Sequence, residues 1–524
     1  MSSTTNRPAL SRDYPSSTAE PSKLFRWPGG DWESTKAVRE VLEENNRGYD
    51  IYESARFAHN HFPHSALTRY TLGAPAQLIR DTWTLDRPHL VSLDPNDKSR
   101  KKEEVKDVPD KIESANWGHE RYLGMKGAYA RYLTFFHQEI ARLGPLETLN
   151  KYVFSPSANW ERWKNVNGEE NEPPMMIDRL VGGLFHPFIH VGFGLEFNDR
   201  VVLAEGLAET AIHSDELNLP LITPQYAHEI IHPSHPIPDH LQPRLGRSLL
   251  EIYSILLHSP DLAPVPYDEN SSINDRIKYA TEGGKAENVR KLAEDWSLTD
   301  EELNDDKDGW KRKFEEVAIL VTLLACGTGR KVKELKIDFF LMHTLTSSIF
   351  VPTYMPILSI PNRRLLLKAY LLVLLNTAIA RGRPAIDPEL IMSYDPFPVA
   401  PGSKGLVKPQ RGAVVGSPDK KDSRNSWMGI VESSLAYPDS HVPKAIRSLV
   451  YFAELYGSTR PGCFIGSYLS GGQTHETIPG LAQVDGTVFV RAAGAIMNQM
   501  GWTREGQNEG DWEFSPVGYD EVWK

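Results

Sequence analysis

Apolar residues recur every three or four positions in "TKAVREVLEENNRGYDIY" and "ERYLGMKGAYARYLTFFHQEIARLG", the spacing that turns one face of a helix toward a core. The second segment runs into Gly144-Pro145, a pair that stops helices. "WKRKFEEVAILVTLLACGTG" reads the same way, with acidic residues early and Gly327 as its expected cap. Helices are also predicted in "DFFLMHTLTSSIF", "RRLLLKAYLLVLLNTAIARG" and "PKAIRSLVYFAELYG". Strand-like alternation is scarce, and "GTVFVRAA" suits either strand or helix. The pattern predicts a mainly α protein: one large multi-helix domain over residues 25–524, preceded by a disordered Ser, Thr and Pro-rich tail at 1–24. Long irregular loops are expected at 86–111, 159–174 and 394–426, and a solvated helical insertion in the highly charged stretch 267–308.

Composition narrows the function. The chain has 58 basic and 69 acidic residues, a net charge of -11 and no long basic stripe. Nucleic acid and anionic membranes are therefore not expected partners, while small ligands remain open. Its two cysteines, Cys326 and Cys463, make no zinc-finger or C-x-x-C spacing. With no apolar secretory core near the N-terminus, a reducing, cytoplasmic setting is the expectation. The apolar run around Lys368 is not a membrane span, because Lys368 and Asn376 interrupt it. Oligomeric state is not legible. No G-x-G-x-x-G follows a strand, and neither a P-loop nor a G-x-S-x-G elbow occurs. Redox chemistry would thus need a metal or a cofactor carried elsewhere.

Histidines cluster where such a metal could sit. "HNHFPHS" holds His59, His61 and His64, and "LFHPFIHVGFG" holds His186 and His190, four apart and so on one helix face. Taken alone, such a pair is more often a cap and a core hydrogen-bonder than a metal site. Phe185, Phe188 and Phe193 predict burial there, and Gly182, Gly183, Gly192 and Gly194 allow close backbone approach. His343 lies in a helix apolar on nearly every side, where a satisfied core imidazole is the plainer reading. Lys368 sits in "LLLKAYLLVLL", where a charged amine needs a partner, snorkels to the surface, or is neutral and takes up carbon dioxide as a carbamate. Glu205, Glu209 and His213 follow at i, i+4 and i+8, suited to hydrogen-bonding and orienting metal-bound imidazoles.

Several segments, in order from about residue 35 onward, together resemble the fungal questin oxidase-like family. They are "HNHFPHSALTRYTLGA", "YLTFFHQEIARLG", "RLVGGLFHPFIHVGFGLEF", "LAEGLAETAIH", "FFLMHTLTSS", "HVPKAIRSLVYFAELYG" and "WEFSPVGYDEVW". The resemblance implies an oxygenase of fungal secondary metabolism that cleaves a ring of an anthraquinone or related aromatic polyketide. It would use dioxygen at a non-haem Fe(II) held by histidines and a carboxylated lysine. Carried onto this chain, the ligands are His61 or His64, His186, His190, His343 and Lys368, with His186, His190, His343 and Lys368 at the chemistry. Glu205 and His213 would orient them. Ser65 stands after His64 where family members often have a second histidine. Phe185, Phe188, Phe193, Tyr70 and Trp83 would line the substrate pocket. The alternatives are an NADPH-dependent Baeyer-Villiger-type monooxygenase on the same substrates, and a non-enzymatic helical scaffold.

Overall fold

The computed structural model describes residues 15–53, 59–94, 111–164, 170–213, 221–232, 246–305, 309–402, 414–417, 420–469, 472 and 474–524. The architecture is mainly α, as the periodicity predicts. Helices form at Trp32–Gly48, Tyr129–Leu143, Gly309–Cys326, Phe339–Ser348, Ile360–Ala380 and His441–Tyr456, and the ambiguous "GTVFVRAA" lies within the helix Val488–Met500 except for its first two residues. Strands among the described residues are short antiparallel pairs, Tyr49–Glu53 with Leu90–Ser92 and Trp163–Lys164 with Glu170–Asn171. The first helix therefore ends before "YDIYE", which the spacing had carried on as helix. Gly327 closes its helix through a bond from its amide to Leu323 O at 2.7 Å, without a left-handed turn.

At the centre, the helices His186–Glu196 and Arg200–Ile212 form an antiparallel pair with every residue of the first buried. Glycine lets them touch: a Cβ on Gly206 would fall 2.6 Å from Val191 N, and one on Gly194 would fall 2.6 Å from Leu203 Cα. The helix Phe62–Thr71 packs on both His186–Glu196 and His441–Tyr456, and Phe339–Ser348 packs on the same two. Four helices that bring histidines from distant parts of the chain thus meet at one place.

Two expectations need correction. Residues 15–24 do not behave as a tail: Ala19 is fully buried, Ser17 Oγ donates to Asp199, and Ser22 Oγ donates to Glu196. The charged stretch 267–308 is not simply solvated, since Ile277, Val289, Ala293, Trp296 and Leu303 enter the core. Most of its charged residues are exposed on short helices and the turns between them, although Arg276 is buried, a distinction that composition averages away. Residues 1–14, 95–110, 165–169, 403–413 and 418–419 of the expected tail and loops, and 306–308 of the charged stretch, lie outside the described residues.

Candidate metal centre

His61, His186, His343 and His441 each offer one ring nitrogen, and these four atoms lie within 4.8 Å of one another. Local structure explains the convergence. His61 caps the helix Phe62–Thr71, while His186 and His441 are the first residues of theirs, so three imidazoles project from helix starts. The positive end of a helix dipole disfavours a protonated ring there. His343 lies inside Phe339–Ser348 and is fully buried.

The turn before His186 is strained. Gly183, Leu184 and Phe185 have φ of +53°, +56° and +66°, and each non-glycine residue held there costs roughly 1–2 kcal/mol. The turn aims Gly183 O at His186 Nδ1, 2.6 Å away. His343 Nδ1 donates to Phe339 O at 2.8 Å, and His441 Nδ1 to Asp439 Oδ1 at 2.7 Å. Asp439 is fixed in turn by the Trp512 indole at 2.7 Å. A carbonyl or carboxylate can only accept, so each Nδ1 carries the proton and each Nε2 presents its lone pair inward. His61 Nε2 and His186 Nε2 stand 2.9 Å apart, while the buried Nε2 atoms of His343 and His441 have no hydrogen-bond partner. Buried polar atoms are nearly always paired. An ion among the four nitrogens would satisfy all of them, and imidazole suits iron, zinc or copper.

Burial lowers the pKa of His61, His186 and His441, and the Lys444 charge is the next cause for each. For His343, burial leads, followed by His186, His441 and Lys444. Lys444 is buried three residues after His441, on the same helix face.

His64 and His190, expected as ligands, stand just behind this group and bond one another, His64 Nε2 to His190 Nδ1 at 3.2 Å. His190 Nε2 reaches Glu205 Oε2 at 3.0 Å, and Glu205 also accepts from Asn45 and Asn46. Glu205 therefore contacts His190, which is not one of the four converging rings. His213 bonds His59 instead, Nε2 to Nε2 at 2.9 Å.

Lys368 is elsewhere. Its Nζ donates to Ala293 O at 2.5 Å and Trp296 O at 3.0 Å and pairs with Glu294 at 3.4 Å. A carbamate there would set its oxygens against two carbonyl oxygens, so this pocket suits an ammonium. Burial lowers its pKa and Glu294 opposes that shift.

The expected pocket residues also divide. Phe193 stacks on His64 at 5.1 Å, but Phe185 and Phe188 pack on Tyr370 and Tyr354 within the core. Tyr70 bonds Thr35 and Trp83 bonds Glu44, and both are interior packing residues. The aromatic contacts at the centre come from Phe339, whose ring lies 4.8 Å from His343 and 5.0 Å from His441. Phe514, mostly exposed, stacks on it at 4.6 Å. Sequence reasoning missed both His441 and Phe339. The readable signal for His441 was a carboxylate two residues ahead of a histidine at a helix start.

Two half-buried imidazoles, His213 and His137, make the metal-free chain acid-labile. His213 and His137 are each lowered by burial to about 4, against roughly 6.5 in an unfolded chain. Between those values the unfolded state binds protons that the folded state refuses. Stability is thus complete above about pH 6.5 and falls with pH, by up to ~1.4 kcal/mol per pH unit for each histidine. Urea midpoints of chelator-treated protein should drop steadily from pH 6.5 to 4.5, and a flat profile would contradict buried neutral rings.

A mainly helical domain holding a cluster of four imidazoles is the class that fold and site define. The sequence model of the questin oxidase-like family matches residues 58–449, and the chain belongs to that family, which makes it an oxidoreductase. It is 28% identical to a Baeyer-Villiger oxidase of Pestalotiopsis microspora, over 69% of this chain and 74% of that protein. It is 24% identical to a Baeyer-Villiger oxidase of Pestalotiopsis fici over 82% of each, and 26% identical to the questin oxidase of Aspergillus terreus over 60% and 62%. Among the described residues, no helix is long and apolar enough to cross a membrane.

Proposed function

We propose that this chain is an iron(II)-dependent oxygenase that opens a ring of an anthraquinone or related aromatic polyketide with dioxygen. The observation that carries the reading is the convergence of four histidine nitrogens, two of them buried without a partner while the opposite nitrogen of each ring is anchored. Iron(II) held by His61, His186, His343 and His441 would supply the electrons that make dioxygen reactive. The lysine that the resemblance puts among the ligands is then Lys444 rather than Lys368. Lys444 is buried beside the four rings, and conversion to a carbamate would replace a cation that repels a metal by an acidic ligand. Phe514 on Phe339 offers a flat face for a tricyclic substrate next to His343 and His441. The linked His64, His190 and Glu205 form a polar chain behind the four rings.

The relatives named Baeyer-Villiger oxidases favour a second reading, a Baeyer-Villiger-type oxygen insertion, for which NADPH would be the reductant and the substrate class the same. Labelled dioxygen distinguishes the two when the iron-loaded chain is given questin or a similar anthraquinone. Ring-opening oxygenation without NADPH should leave two labelled atoms in one product, once exchange with water is excluded. One labelled atom and an absolute need for NADPH would establish the second reading instead. In the same preparations, Lys444→Met should weaken iron binding by roughly 100-fold or more. Lys368→Met should keep the iron and cost ~1–3 kcal/mol of stability through the lost hydrogen bonds. The reverse result would return the ligand role to Lys368.

A further inference from the structure

A second set of donor atoms lies behind the four-histidine group. His59 Nε2 and His213 Nε2 are 2.9 Å apart, Glu209 Oε1 is 3.6 Å from His59 Nε2, and one donor from each residue falls within 4.8 Å of the others. Metal–nitrogen bonds of about 2.0–2.1 Å put neighbouring ligand atoms at about 3 Å, so little movement is needed to close on an ion.

Glu209 is the residue that ordinary packing leaves unexplained. It is fully buried, and neither carboxylate oxygen receives a hydrogen bond. Its nearest imidazole is His190, whose Nδ1 stands 3.4 Å from Oε2, against 3.6 Å for His59. That Nδ1 is engaged by His64 Nε2 at 3.2 Å and the ring's other nitrogen by Glu205, so neither of them gives Glu209 a hydrogen bond. A carboxylate left this way is costly, and burial followed by the Glu205 charge pushes its pKa well up. The surrounding chain also makes room for His213. A Cβ on Gly183 would lie 2.1 Å from that ring, so glycine is required there for space as well as for its φ. The same residue's carbonyl holds His186, and the rings of His59 and His186 stack at 4.0 Å. The two sets of donors therefore share a wall.

We propose that His59, His213 and Glu209 bind a second divalent transition-metal ion beside the four-histidine centre. Two imidazoles and one carboxylate select iron(II), zinc or manganese over magnesium or calcium, and leave positions open to water or substrate. Glu209 then bonds the ion directly, and the proton between His59 and His213 moves to the Nδ1 of the ring that carried it, so both imidazoles bind as neutral ligands through Nε2.

The test is a metal count on the full-length chain, stripped by chelator, dialysed anaerobically against iron(II), and repeated with zinc. The wild type should hold two ions per chain. Glu209→Gln, which keeps the shape of the side chain, should hold one, as should His343→Ala, and the combined variant none. His213→Gln, at the half-buried end of its helix, repeats the first loss should Glu209→Gln melt early. A single ion that survives Glu209→Gln and His213→Gln but not His343→Ala overturns the second site alone. A single ion with the opposite pattern supports it and refutes the four-histidine site. No ion in the wild type defeats both.

Discussion

His343→Ala should abolish turnover and iron binding at the four-histidine centre while costing the metal-free protein only ~1–2 kcal/mol. This combination is unusual for a fully buried residue. Truncating a buried side chain normally costs ~2–5 kcal/mol, and here the Nδ1 bond to Phe339 O is lost as well. The metal-free wild type, however, already carries the desolvation penalty of an unpartnered His343 Nε2, on the order of 1–3 kcal/mol. Alanine removes that penalty and offsets much of the lost packing. Loss of a metal that contributes several kcal/mol to the transition state lowers activity by ~10³-fold or more. Iron content, turnover and urea unfolding in chelator, measured on one preparation, check the claim. A variant with full iron and normal turnover would leave His343 a core histidine.

Arg447→Met should be among the most destabilising single changes in the protein. Glu196, the last residue of the helix that begins at His186, is fully buried and bonded by Arg447 Nη2 at 2.5 Å. Arg447 belongs to the helix that begins at His441, so this ion pair ties two ligand-bearing helices together. Phe193, Phe350 and Phe197 surround the guanidinium at 5.2–5.9 Å and keep water away. Methionine fills the volume but leaves a buried carboxylate with Ser22 as its remaining side-chain donor, which costs about 3–5 kcal/mol. Adding Glu196→Gln should recover most of that loss, a coupling that a double-mutant cycle measures. Iron affinity should fall with Arg447→Met and return in the double variant. Independent, additive effects would show that the pair does not hold the two helices in register.

Much of this could be read from residue order. Helical periodicity is local, so the long apolar segments declared themselves, and His186 and His343 stood out as polar rings in apolar surroundings. Lys368 was read as needing a partner, a route to the surface or a carbamate, and its partners come from 293–296, inside a stretch whose charge had suggested solvent. His441 passed unnoticed because nothing beside it is unusual except Asp439. The distinction between His61 and His64 was equally hidden. Three residues apart on one helix start, one faces His186 and the other His190.

The sequence by itself determined the helical class, the family and the stock of histidines and carboxylates available for chemistry. Only the tertiary structure decided which of them meet. His61 and His186 are separated by 125 residues, and His441 lies still further along the chain. Their convergence depends on helix packing made possible by Gly194 and Gly206, and on the left-handed turn at Gly183–Phe185. A side chain's neighbours along the chain fix its propensity and burial, but a coordination site is set by distances between atoms, which arise only when remote helices pack.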